Sequence, residues 1–192
     1  MAVASTDAAV STSPARLGEK QAQSYLLAST PFRSAAPARS AAPTGMQSPM
    51  AILERAVVDR MNQVRRGHGL RALRISRPLA VVAERHSNDM ARRGYFEHDS
   101  ASGTAFWRRI ERFYPSRGFR SWTVGENLLW AGDTYSAAFA VQEWMNSPPH
   151  RKNILSRQWR EVGIGAVYAQ DAQGEYRGGP VTITTADFGA RR

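Results

Sequence analysis

Ser147-Pro148-Pro149-His150-Arg151-Lys152-Asn153-Ile154-Leu155 divides the globular part of this chain into two kinds of pattern. Upstream of it apolar residues recur at helical steps; downstream, from Glu161-Val162-Gly163-Ile164-Gly165, they alternate as in strands. The paired prolines break a helix that Thr134 would cap and that lays Ala138, Val141 and Met145 on one side. Further upstream, Leu53, Val57, Met61 and Val64 predict a helix over 49–66, stopped by Gly67-His68-Gly69. Ser76-Arg77-Pro78 starts a second helix whose apolar face carries Leu79, Val82, Ala83, His86 and Met90 and which Gly94 ends. Thr104 caps a third, with Phe106, Trp107, Ile110 and Phe113 as an aromatic stripe. Downstream, residues 162–169 form one strand, Asp171-Ala172-Gln173-Gly174 a turn, and Val181-Thr182-Ile183-Thr184-Thr185 a second strand running out through Asp187-Phe188-Gly189. Helices first and a hairpin last argue for an α+β fold over a doubly wound parallel sheet.

Residues 1–48 are dominated by Ala, Ser, Pro and Thr, with few large apolar side chains and no sustained period. Such a segment buries too little surface to offset the entropy of ordering, so the sequence predicts a disordered tail, with at most a weak helical turn near 21–27. That leaves one domain over 49–192. The chain carries 26 Lys+Arg against 16 Asp+Glu, a net +10. Its only lysines are Lys20 and Lys152. A basic balance suits an acidic partner such as anionic lipid, an acidic wall polymer or nucleic acid. The arginines are scattered among predicted helices and loops and form no tract, which favours a solvated basic surface over a specific nucleic-acid role. Cysteine is absent, which removes disulfides and thiolate metal sites. No apolar run approaches the ~18–20 residues of a transmembrane helix. The first residues lack the charged and apolar regions of a signal peptide.

Histidine and carboxylate stand beside stiffening residues at three distant places. His98 ends Tyr95-Phe96-Glu97-His98, Glu126 sits in Gly125-Glu126-Asn127, read as a tight backbone, and His150 follows two prolines. Brought together, such residues make either a neutral metal site or an acid/base pair; spacing alone does not show that they converge.

Together with Ala83-Glu84-Arg85-His86-Ser87-Asn88-Asp89-Met90-Ala91, Gly125-Glu126-Asn127-Leu128, Trp144 and Asp187-Phe188-Gly189, these strings closely resemble the bacterial branch of the CAP superfamily of cysteine-rich secretory, antigen 5 and pathogenesis-related proteins. The resemblance covers roughly residues 52–189. It implies an α-β-α sandwich, with a small, mostly antiparallel sheet covered by helices on both faces and a central open cleft. By position it places His98, Glu126 and His150 in that cleft. Where animal and plant members carry a second glutamate, this chain has Ser147; Glu161 is the acidic substitute in the bacterial pattern and Glu143 a weaker one. The resemblance further implies an extracellular or periplasmic protein that binds a small amphipathic ligand, a lipid or a cell-wall polymer. The alternative it leaves open is a metal-assisted hydrolase, with His98 and His150 holding a divalent cation such as zinc and Glu126 as base. A third reading is a basic interaction module whose cleft is vestigial.

Other residues take plainer readings. His86, on an apolar helix face, is expected to be a buried, hydrogen-bonded histidine, and His68 an exposed turn residue. The aromatic stripe, Trp130 and Trp144 read as packing, and Asn127 as a group that bonds neighbouring backbone. Neither Ser87 nor Ser100 sits in a nucleophile elbow, and no H-E-x-x-H helix or glycine-rich phosphate loop is present.

Overall fold

The computed structural model describes residues 48–192; the tail and its suggested turn near 21–27 lie outside the described residues. In order, the elements are α1 (Pro49–Gly67), β1 (Arg74–Ile75), α2 (Arg77–Arg93), α3 (Phe106–Glu111), β2 (Trp122–Gly132), α4 (Ala137–Asn146), α5 (Pro148–Leu155), β3 (Glu161–Ala172), a 3-10 turn (Gly174–Tyr176) and β4 (Gly179–Arg191). The sheet runs β1-β3-β4-β2. β4 is antiparallel to both β3 and β2, and only the two-residue β1 is parallel to its neighbour. The α+β sandwich expected from the sequence is therefore present.

Alternation along the strands sorts the two layers. On β2, Val124 and Leu128 pack into the clusters beneath α2, with Leu79, Val82 and Met90, whereas Leu129 joins the cluster under α1 and α4, with Val57, Met61 and Trp144. On β4, Ala186 and Phe188 face the second layer, and Ile183 faces α2. Glu126 and Asp187, opposite each other in the β2–β4 register, thereby fall on the α2 face.

Three local readings change. Gly125-Glu126-Asn127 is no turn but the middle of the 11-residue β2. Its glycine is there for space: a Cβ on Gly125 would stand 2.8 Å from the Trp159 ring. The prolines end one helix and also begin another. α4 stops at Asn146, Ser147 is extended, and Pro148 opens α5, because proline's fixed φ and missing N–H suit a first turn. Caps also shift. Ser136, not Thr134, accepts from Phe139 N at 3.2 Å to start α4, and α3 begins at Phe106, whose N–H donates to Asp99 Oδ1 at 3.1 Å, rather than under a Thr104 cap.

Candidate functional site

His98 leaves the loop after α2 with Nδ1 2.8 Å from Glu126 Oε1. Arg109, from α3, places one guanidinium nitrogen on Glu126 Oε2 and another 2.8 Å from the His98 carbonyl oxygen. Three segments thus lock onto one carboxylate that is 1% exposed. Burial opposes ionisation of Glu126, but the Arg109 guanidinium, the nearby imidazoles and the His98 hydrogen bond outweigh it and hold the carboxyl down at about 2. Glu126 is therefore ionised across the physiological range and can only accept. It follows that His98 Nδ1 carries a hydrogen, which leaves Nε2 as the ring nitrogen open to a further hydrogen bond. That Nε2 is buried and has no hydrogen-bond partner among the described residues. The Phe106 ring stands edge-on to the imidazole, with centroids 6.2 Å apart.

Two further ionisable groups belong to this cluster. His86 is buried, with Nε2 3.0 Å from the Glu97 carbonyl oxygen. A carbonyl only accepts, so Nε2 bears the hydrogen. Burial lowers its pKa to about 4 despite the opposing pull of the Glu126 charge, so His86 is neutral at pH 7. Asp187, fully buried opposite Glu126, is pushed well up by burial and then by the Glu126 charge. Neither Asp187 oxygen has a hydrogen-bond partner of proper geometry among the described residues.

Of the residues singled out in the sequence, His98 and Glu126 meet directly. His150, in the first turn of α5, is tied to the same strand through its backbone: Asn127 Nδ2 donates to its carbonyl oxygen at 3.1 Å. Asn153 reinforces this by donating to the Glu126 carbonyl at 3.1 Å and to Asn127 Oδ1 at 2.8 Å. Asn127 alternates with Glu126, so α5 approaches β2 from the face opposite the Glu126 carboxylate. Glu161 is engaged elsewhere, accepting from the Tyr114 hydroxyl at 2.5 Å and facing Arg74 at 3.6 Å. Glu143 is exposed, and Ser147 forms the α4–α5 junction.

The acidic neighbour of Glu126 is Asp187, and its cationic partner is Arg109; neither was singled out as a site residue. Both left a trace: a carboxylate inside a run of small and β-branched strand residues, and an arginine three positions after Phe106 on the apolar face of its helix.

The cluster is nearly closed to solvent: His98, Glu126 and His150 are 8%, 1% and 1% exposed. An open depression of about 430 Å³ lies at the α4–α5 elbow, lined by Met145, Pro148, Arg151 and Leu155 among others. A divalent cation does not fit the arrangement around Glu126. Arg109 already neutralises the second oxygen, and among the described residues no three His, Cys, Asp or Glu side chains are grouped to hold a metal ion. As placed, the cluster can offer one unpartnered ring nitrogen, His98 Nε2, for hydrogen bonding.

The family model of the cysteine-rich secretory protein family (CAP) matches residues 58–188. The uncharacterized protein YkwD of Bacillus subtilis (strain 168) is 33% identical over 120 residues, covering 62% of this chain and 44% of that protein. The uncharacterized membrane protein YlbC of the same organism is 33% identical over 112 residues, covering 58% and 31%. The chain thus spans less than half the length of these relatives. Among solved structures, an extracellular protein containing a SCP domain from Bacillus anthracis str. Ames is 29% identical, with a TM-score of 0.56 over 76% of this chain and 44% of that one. An outer surface protein from Borrelia burgdorferi is 19% identical, with a TM-score of 0.60 over 78% of this chain and 100% of that one, a likeness of fold alone.

Proposed function

Because the chain belongs to the cysteine-rich secretory protein (CAP) family, matched over residues 58–188, we infer that it is a ligand-binding domain of the cell envelope or exterior whose site is built on His98. The observation that carries this reading is the half-used imidazole. Nδ1 is anchored on Glu126, while the buried Nε2 is left without a partner among the described residues. A buried polar atom without a partner is costly, and a bound hydrogen-bonding group relieves that cost. A hydroxyl both donates and accepts, so it can meet Nε2 whichever role that nitrogen takes. The Phe106 ring beside the imidazole supports an otherwise apolar ligand body. Together these favour a small amphipathic molecule with one hydroxyl. The Arg109–Glu126 pair weighs against a metal-assisted hydrolase, since it occupies the carboxylate that would serve as base. The extracellular description of the Bacillus anthracis protein supports action outside the cytoplasm.

The test is binding of a fluorescent sterol alcohol and its methyl ether to the full chain and to His98→Ala. The reading expects the alcohol to bind at least about tenfold more tightly than the ether, an advantage lost in His98→Ala. Equal affinity of a folded His98→Ala variant for the alcohol would overturn it. His150→Ala extends the test to the helix that buttresses β2.

A further inference from the structure

Six of the arginines that form no tract in the sequence, Arg74, Arg77, Arg117, Arg120, Arg191 and Arg192, gather at one end of the sheet. β1 begins at Arg74. β4 ends at Arg191, opposite Trp122, and the next residue, Arg192, exchanges two backbone hydrogen bonds of 3.1 Å with Ser121. α2 begins at Arg77, immediately after Ser76 N bonds to the Val162 carbonyl at 2.9 Å near the start of β3. The connection from α3 into β2 brings Arg117 and Arg120 to the same end, both exposed. The carboxylates of the flanking segments are already in use: Glu161 by Tyr114 and Arg74, and Glu111 by the Ser116 hydroxyl at 2.6 Å.

One of these cations is held in place. The Arg191 guanidinium lies 3.7 Å from the Tyr114 ring centroid and 4.7 Å from that of Phe119, which is 43% exposed. Stacking fixes the plane of the guanidinium before any partner arrives, which lowers the ordering cost of a two-point hydrogen bond to an oxyanion.

We propose that this end of the sheet is an interaction surface for a polyol-phosphate polymer, a flexible chain of phosphodiester-linked polyols. Four strand ends at the usual spacing extend over about 14 Å, too far for one phosphate and suited to a chain of repeating anions. Arginine in place of lysine favours the paired oxygens of a phosphodiester. Nucleic acid fits less well, because single strands are held by successive aromatic stacking platforms, whereas Phe119 is one exposed ring here and Arg191 already packs on it. This surface is separate from the His98 cluster, and its failure would leave that reading untouched.

The test uses the full chain and fluorescently labelled poly(glycerol phosphate), with binding followed by anisotropy from about 50 to 200 mM salt. Arg117→Gln/Arg120→Gln is compared with Arg92→Gln/Arg177→Gln, which removes the same charge at the opposite end of α2 and of the sheet. The first variant is expected to bind about tenfold more weakly, with the salt slope of log K reduced by roughly 1.5, and the second to stay within about twofold of wild type. Failure of the wild type to bind, or equal losses in both variants, would overturn the proposal. Tighter binding of polyuridylate would assign the surface to nucleic acid instead, and equal binding of polyglutamate would reduce it to a general anion surface.

Discussion

Arg109 and Glu126 form an ion pair in which the side chains are 11% and 1% exposed, with His98 bonded to the other oxygen of the same carboxylate. Removing one partner of such a pair leaves a charge without water or counterion. Glu126→Gln keeps the shape and deletes the charge, so it strands Arg109 and turns the amide against His98 Nδ1. The expected loss is about 3–5 kcal/mol at pH 7, read by urea unfolding. A loss below about 1 kcal/mol would mean that the pair is solvated and the cluster far looser than described.

Asp187 is the group that this charge penalises. Its carboxyl is buried opposite Glu126 and pushed up by burial and by that charge. An acid whose folded pKa lies above its unfolded value of about 3.8 costs stability as pH rises through that value, because the unfolded chain then releases a proton that the folded chain retains. Asp187→Asn removes the cost and supplies an N–H to donate to Glu126. The expected gain at pH 7 lies in the ~0.5–2 kcal/mol range of single stabilising substitutions, shrinking toward pH 3. Melting curves at both pH values check it; destabilisation at pH 7 would show that Asp187 is ionised and paired.

His86 sets the acid limb. Its folded pKa is depressed to about 4 from 6.5. Between those values the unfolded chain binds a proton that the folded chain refuses, so stability present above about pH 6.5 falls until about pH 4 and is then level for this group. The shift corresponds to roughly 3 kcal/mol. His86→Gln should be flatter than wild type across that window in denaturation measured at pH 7, 5.5 and 4. Parallel curves for the two proteins would remove His86 as the cause.

Zinc should find no tight site. With Arg109 on Glu126 and no grouped donors among the described residues, calorimetric titration of wild type and of His98→Ala/His150→Ala is expected to give the same weak heats. A stoichiometric site present only in the wild type would show that the ion pair opens to admit metal.

The layers were legible in the sequence and the contacts between them were not, for physical reasons. Helical and strand periods report which face of an element is buried, so α1, α2, β3 and β4 could be read directly. β2 could not. Gly125 looks like a turn residue, and only the Trp159 ring packed against it reveals that the missing side chain makes room within a strand. His98 and Glu126 were legible as a pair because both lie in family strings. Arg109 and Asp187 complete the cluster from elements read as core, where a charged side chain shows its partner only once the strands are in register. The basic end of the sheet was hidden in the same way, since Arg74, Arg117 and Arg191 are distant along the chain and converge only through the β1-β3-β4-β2 order.

Glu161-Val162-Gly163-Ile164-Gly165 yields the most demanding prediction. Built Cβ atoms on Gly163 and Gly165 would stand 2.0 Å from Ala80 N and from Glu84 N, against helix backbone that has no rotamer with which to yield. The two glycines let α2 lie directly on β3, and Ser87 seals the contact by donating to the Gly165 carbonyl at 2.8 Å, with its oxygen 2.9 Å from the Thr185 hydroxyl. Moving α2 outward would also carry His86 away from the Glu126 cluster. Either Gly163→Ala or Gly165→Ala should therefore cost well above the ~1–3 kcal/mol of ordinary core overpacking, read as loss of cooperative thermal unfolding. Gly67→Ala is the control, because a Cβ there meets nothing within 4 Å and the site ends a helix. It should change stability by less than about 1 kcal/mol. If Gly163→Ala melted like that control, the helix would have room to move, and the close seating of α2 on the sheet would be wrong.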